Sequence, residues 1–202
     1  MQTRITLIRH GETPWNVEGR WQGIAPIPLN ASGIRQAQEA APALKMAGIG
    51  QIVSSDLLRA RQTAETIAEV LGVDIILTKE WREVNLGRWQ GLTKAEIEAW
   101  DTEAFRQFEQ SAYVDRVFPE GETHRHHVAR TAQALQSTVD HFPASHTLVV
   151  THGGSIRCAV YHLSGESIGL VVNCFLTRLV YDHDQQSWDI LGLNQPPAAV
   201  KW

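Results

Sequence analysis

Two short apolar runs, far apart in the chain, end in the same pair of residues. Residues 4–8 (Arg-Ile-Thr-Leu-Ile) lead through Arg9 into His10-Gly11, and residues 147–151 (Thr-Leu-Val-Val-Thr) lead into His152-Gly153. Short runs rich in β-branched and apolar residues read as strands. In open α/β sheets ligands gather at the carboxyl ends of strands. A glycine beside each histidine lets backbone come close to a ligand. Arg9 adds a planar fork of donors that matches phosphate oxygens. Residues 155–163 after the second run read as a helix, whose start offers free N–H groups and a field favourable to an anion.

The rest of the chain alternates strands and helices. Residues 51–54 form a strand, and Asp56 caps a helix over 57–71 that stops at Gly72. An earlier helix starts at Asn30 or Ser32, runs to about Ala47 and should kink at Pro42. Residues 73–77 are a short strand, 92–110 are helical, and residues 120–123 introduce a long helix ending at His141. A closing hairpin pairs 175–181 with 188–193 across the polar turn 182–186. Such alternation implies the α/β class, with a mainly parallel sheet covered on both faces. Residues 13–28 form a long loop punctuated by Pro14, Gly19, Gly23, Pro26 and Pro28. Long ordered loops in compact domains are usually functional. The whole chain, 1–202, is expected to be one domain with a loose Pro/Ala-rich tail over 195–202.

Composition narrows the function. A chain of 202 residues can bury a core without staples, and a net charge of −4 offers no overall basic field for nucleic acid or acidic membrane. No apolar run approaches a membrane span, and the first strand begins at the N-terminus, so the expected location is the cytoplasm. Cys158 and Cys174 sit in apolar runs and are expected as buried free thiols. Neither a P-loop nor a dinucleotide fingerprint occurs, so no nucleotide cofactor is indicated. His124 and His127 share a helix face with His126 nearby, but spacing assigns no third ligand. These histidines read as a polar helix start near the site, with no metal expected.

Five stretches in order resemble one family. They are Arg9-His10-Gly11-Glu12-Thr13 with Asn16; Gly19-Arg20-Trp21-Gln22-Gly23 with Pro28-Leu29; Ser54-Ser55-Asp56-Leu57-Leu58-Arg59-Ala60 with Thr63-Ala64; Glu83 between Arg82 and Val84; and His152-Gly153-Gly154. Together they resemble the histidine phosphatase superfamily, also called the phosphoglycerate mutase-like family, along most of the chain. The resemblance implies a three-layer α/β/α sandwich with a mainly parallel mixed sheet. It implies a metal-independent phosphatase acting on a small-molecule phosphate monoester without a cofactor. In that reading His10 is the nucleophile and Glu83 the general acid/base. Arg9, Arg59 and a protonated His152 hold the phosphoryl oxygens, while Asn16, Gln22, Gly23 and Gly153 complete the substrate pocket. Arg59 also speaks for itself. A cation in the first turn of a helix opposes the helix field, and an anionic ligand would resolve the conflict.

Two departures from the family pattern concern the pocket rim: Pro26 stands where an aspartate is usual, and Glu120-Gly121-Glu122-Thr123 replaces Gly-Gly-Glu-Ser. The mutase branch adds a longer basic segment after the acid/base glutamate, and here that region is short and not basic. A mutase therefore ranks second, and an inactive phosphate-binding regulatory module on the same fold third. Segment 92–119 is expected to cover the site. It carries Lys94, Arg106 and Arg116 against Glu96, Glu98, Asp101, Glu103, Glu109 and Asp115. An acidic cover would favour aryl or weakly charged esters over substrates with a second anionic group. Of Trp15, Trp21, Trp81 and Trp89, at least two are expected to fill space under the loops; if even one lines the mouth, an apolar or aromatic leaving group gains contact area there.

Overall fold

The computed structural model describes residues 1–201. Six strands, β1 (Gln2–Arg9), β2 (Gln51–Ser55), β3 (Ile75–Thr78), β4 (His146–Thr151), β5 (Leu176–Asp182) and β6 (Ser187–Gln195), form one sheet in the order β3-β2-β4-β1-β5-β6. The first four run parallel, and β5 runs antiparallel to both β1 and β6. The helices are α1 (Pro14–Val17), α2 (Ala31–Met46), α3 (Leu58–Leu71), α4 (Lys94–Trp100), α5 (Thr102–Gln110), α6 (His124–His141) and α7 (Gly153–Ser164).

Alternation along the central strands sends successive side chains to opposite faces. Ile8, Leu148 and Val150 pack against Ala37, Leu44, Ala60 and Ile67 of α2 and α3. Ile5, Leu7 and Val149 pack against Leu135, Val139, Ile156 and Ala159 of α6 and α7. Each such aliphatic side chain contributes about 1.5–3 kcal/mol when fully buried. The result is the α/β/α sandwich with a mainly parallel mixed sheet. A third cluster, Trp89, Ile97, Phe105, Phe108 and Phe118 with Trp21 against it, lies beneath the segment that follows Glu83.

The central register positions the site. Arg9 lies opposite Thr151 in the β1–β4 ladder, and the N–H of His10 donates to the Thr151 carbonyl at 2.9 Å. The next residue of each strand is a histidine, so His10 and His152 emerge side by side.

Several local expectations change. Asp56 does not cap α3; its N-cap is Leu57, with no side-chain hydrogen bond, and both Asp56 carboxylate oxygens accept from Arg82 at 2.6 Å. A bidentate charged pair outcompetes the cap. The helical stretch 92–110 is broken into α4 and α5 at Asp101 (φ −127, ψ 45), whose carboxylate accepts from the Trp89 indole at 2.7 Å. The loop 13–28 contains α1, whose start Thr13 and Asn16 fix by a reciprocal capping box. Pro42 lies inside α2, at an exposed position, and the helix runs on to Met46. In the tail, residue 195 ends β6, Pro197–Ala199 form a 3₁₀ turn, and Val200 packs on the α2–α3 side of the core. Trp202 lies outside the described residues. Cys158 and Cys174 are buried and free.

Candidate active site

His10 is buried, and its Nδ1 lies 2.7 Å from the Gly11 carbonyl oxygen. A carbonyl only accepts, so Nδ1 carries the proton and Nε2 keeps its lone pair. That lone pair faces Arg59, whose Nε–H donates to His10 Nε2 at 3.1 Å. Burial, then Arg59, then Arg9 hold the His10 pKa well below its ordinary value, against a small opposite pull from the Gly11 hydrogen bond. His10 is thus neutral, with one identified lone pair. His152 sits 5.3 Å from it, ring centroid to centroid.

His152 is fully buried at the start of α7, with Nε2 at 2.8 Å from the Ser55 hydroxyl on β2. Its Nδ1 has no hydrogen-bond partner among the described residues. Burial first, then Arg59 and His10, depress its pKa well below the usual value. Burial and the two nearby arginines therefore favour neutral His152 in the ligand-free protein, whereas the expectation of a protonated His152 concerns the site with a phosphoryl group bound. A dianionic ligand reverses that balance.

Arg59 enters from the first turn of α3 and is 1% exposed. No carboxylate hydrogen-bonds to it among the described residues. NH1 donates to the Ala25 carbonyl at 3.0 Å and NH2 to the Gly23 carbonyl at 2.7 Å. Burial is the main force lowering its pKa to about 10, so it stays charged at neutral pH. Arg59 thereby also ties the loop 19–28 to α3. Arg9 donates to the Val171 carbonyl at 2.6 Å, while its buried Nε has no partner among the described residues.

Glu83 reaches the same place from the loop after β3. Its Oε2 accepts the Gly154 N–H at 2.9 Å and its Oε1 accepts the Val84 N–H at 3.0 Å. The carboxylate is 15% exposed. Its loop is clamped by Arg130 of α6, which donates to the carbonyls of Glu80 and Arg82 at 2.8 Å each and pairs with Glu122 at 2.9 Å.

One cavity of about 480 Å³ collects Arg9, His10, Asn16, Gln22, Gly23, Arg59, Glu83 and Gly153. The cavity thus brings these eight residues together; His152 lies just beneath, its ring 5.3 Å from that of His10. Trp15 and Trp21 line the cavity, whereas Trp81 and Trp89 are buried fillers. His124 and His127 also line it, and His126 is exposed; no group of three metal-ligating side chains occurs among the described residues. Burial drives the His124 pKa down to about 4 and that of His127 to about 3.

The acidic-cover expectation is wrong. Segment 92–119 does cover the site, but of its six anions only Glu109 lines the cavity, beside Lys94 at 3.1 Å. Glu96 pairs with Arg20, Asp101 with Arg88, Glu103 with Arg106 and Asp115 with Arg125, on or toward the outer surface. Net segment charge is a poor guide when helices present opposite faces to solvent and site. Three supporting residues escaped the sequence reading. Asn173 donates to the His10 carbonyl at 2.8 Å, Ser55 meets His152, and Arg130 holds the Glu83 loop. Ser55 lay inside a recognised motif; Asn173 and Arg130 carried no local signal.

Comparison with known proteins agrees with this geometry. The sequence model of the histidine phosphatase superfamily (branch 1) matches residues 5–195. A probable phosphoglycerate mutase, GpmB, of Escherichia coli is 38% identical over 192 residues, covering 92% of this chain and 87% of that protein. Among solved structures, a mycobacterial glucosyl-3-phosphoglycerate phosphatase superposes with TM-score 0.86 at 29% identity, covering 96% of this chain and 100% of the other. A phosphoserine phosphatase mutant of Entamoeba histolytica superposes with TM-score 0.87 at 26% identity, covering 98% and 100%. The chain belongs to the histidine phosphatase superfamily, branch 1.

Proposed function

We propose that the chain hydrolyses phosphate monoesters without a metal, through a phosphohistidine on His10. The observation that carries this reading is the tautomer of His10. Nδ1–H is committed to Gly11, so Nε2 offers a lone pair inside a cavity that also holds two guanidiniums and a carboxylate. Arg9, Arg59, Asn16, Gln22, Gly23 and Gly153 bind the phosphoryl group, and His152 joins them by gaining a proton as the dianion arrives. Phosphoryl transfer depends mainly on such positioning and charge stabilisation. His10 Nε2 forms the P–N bond as the P–O bond to the alcohol breaks, and Glu83, entering the step as the carboxylic acid, gives its proton to the leaving oxygen. Water then attacks phosphorus, Glu83 takes the water's proton, and the P–N bond breaks to release phosphate.

Residues 1–202 are read as one such domain, acting on a small-molecule substrate in the cytoplasm; no described helix is long and apolar enough to cross a membrane. The E. coli relative's name favours a second reading, a mutase, in which an alcohol rather than water takes the phosphoryl group. Incubating purified protein with 3-phosphoglycerate and chelator separates the two. Hydrolysis releases inorganic phosphate, whereas a mutase produces 2-phosphoglycerate with little phosphate. No turnover of any monoester would favour an inactive binding module.

A further inference from the structure

Where α6, α7 and the loop after β3 meet, one buried histidine has no part in the chemistry described so far. His127 of α6 is 1% exposed. Burial keeps it neutral, so a single ring nitrogen carries a proton. Its Nε2 lies 3.1 Å from the Ser155 hydroxyl on α7, and that hydroxyl donates to the Arg82 carbonyl at 3.0 Å. With its own proton spent on Arg82, Ser155 Oγ meets His127 as an acceptor, so Nε2 is the protonated nitrogen. His127 Nδ1 is then a bare acceptor, buried and without a partner among the described residues. A buried polar atom left unpaired is unfavourable. An aliphatic side chain would fill the same space without that loss, so packing alone does not account for a histidine here.

The hydrogen-bonded series from His127 through Ser155 ends on the peptide group that joins Arg82 to Glu83. The Arg82 carbonyl takes a second hydrogen bond from Arg130 at 2.8 Å, so both its lone pairs are engaged. Ser155 follows Gly154, whose N–H donates to Glu83 Oε2 at 2.9 Å. The start of α7 therefore grips the backbone of the Glu83 segment through Ser155 and its carboxylate through Gly154. His127 fixes the hydroxyl that makes the first grip, and its Nε2 stands 3.9 Å from Glu83 Oε1. A carboxyl that hands a proton to one oxygen atom and takes one from water depends on such fixing, because small misplacements of a proton donor slow the reaction.

We propose that His127 and Ser155 are positioning residues that aim the Glu83 carboxyl at the leaving oxygen. They act through Glu83 rather than on the phosphoryl group. This rests on the phosphatase reading above.

The test compares two aryl monoesters. Phenyl phosphate releases an oxygen that needs a proton, since a phenol has a pKa of about 10; 2,4-dinitrophenyl phosphate releases a stable anion that does not. The ratio kcat/KM reports the step in which the ester bond breaks. His127→Leu and Ser155→Ala should each lower kcat/KM for phenyl phosphate about tenfold or more, and leave that for 2,4-dinitrophenyl phosphate within about twofold of the parent. His127→Gln, which keeps an N–H donor for Ser155, should recover most of the phenyl phosphate rate. Equal losses on both esters in folded variants, or no loss on phenyl phosphate, overturn the proposal. Amide hydrogen exchange at Gly154 reads the same contact without turnover. In His127→Leu it should quicken about tenfold or more, while amides of β1 and β4 keep their protection. Unchanged exchange at Gly154 also overturns the proposal. If the parent hydrolyses neither ester while Gly154 responds as expected, the positioning holds and the phosphatase reading falls.

Discussion

Arg59 donates its Nε–H to Nε2 of His10 across 3.1 Å, so the buried cation rests on the lone pair that is proposed to attack phosphorus. The same side chain fastens the carbonyls of Gly23 and Ala25. If a bound phosphate takes two charged hydrogen bonds from Arg59, their removal costs about 3–6 kcal/mol. Arg59→Ala should then lower kcat/KM for p-nitrophenyl phosphate by roughly 10²–10⁴-fold. It should also lower Tm, because two carbonyls lose their partner. Arg59→Lys should recover part of the activity at most, since an ammonium cannot reproduce the fork. A lysine variant as active as the parent would reduce Arg59 to a loop fastener.

What the sequence made legible is what depends on local pattern. Residues 4–8 and 147–151 carry the apolar run of a buried strand, and each ends at a histidine. Once the strands pair in parallel, the ladder brings His10 and His152 together without further information. Gly72 was a readable helix stop, and its left-handed φ of 72 is the reason. What was not legible depends on partners distant in the chain. Asp56 looked like a cap and instead binds Arg82. Asn173 serves His10 from a loop with no pattern of its own. The sign of the cavity wall depended on which faces of α4 and α5 look outward, and counting charges along residues 92–119 loses that direction.

Two glycines separate stability from chemistry. A methyl group on Gly11 would sit 2.4 Å from the backbone oxygen of Gly33, where neither segment can yield without moving α2. Gly11→Ala should lower stability by about 1–3 kcal/mol or more, read by urea titration. A methyl group on Gly154 would instead lie 2.1 Å from the Glu83 carboxylate, the free end of a side chain. Gly154→Ala should displace Glu83, with kcat falling about tenfold or more, the lower range for a general acid, and Tm little changed. Unchanged kcat in the folded Gly154→Ala protein would remove Glu83 from its proposed role.

Four buried histidines set the response of stability to acid. His10, His124, His127 and His152 all have depressed pKa values, chiefly through burial, with His124 near 4 and His127 near 3. The unfolded chain binds their protons near pH ~6.5, while the folded chain resists until its own lower pKa values are reached. Their contribution is complete above about pH 6.5 and is lost as pH falls below it, each group adding a slope of about 1.4 kcal/mol per pH unit. His127→Gln, which keeps a donor for the Ser155 hydroxyl at 3.1 Å, should flatten the slope by about one such increment. Urea titrations between about pH 7 and pH 5 measure it. Stability that is flat or rising toward acid would contradict buried neutral histidines.

The most direct test of the central claim is to look for the covalent intermediate. Mixing the protein with a radiolabelled monoester and quenching rapidly in base should leave label on the chain that survives base and is lost in acid, the behaviour of an N-linked phosphate. Peptide mapping should locate it on His10, and His10→Ala should show no label and a rate at least ~10³-fold lower. Label on any other residue, or full activity of His10→Ala, would contradict the account.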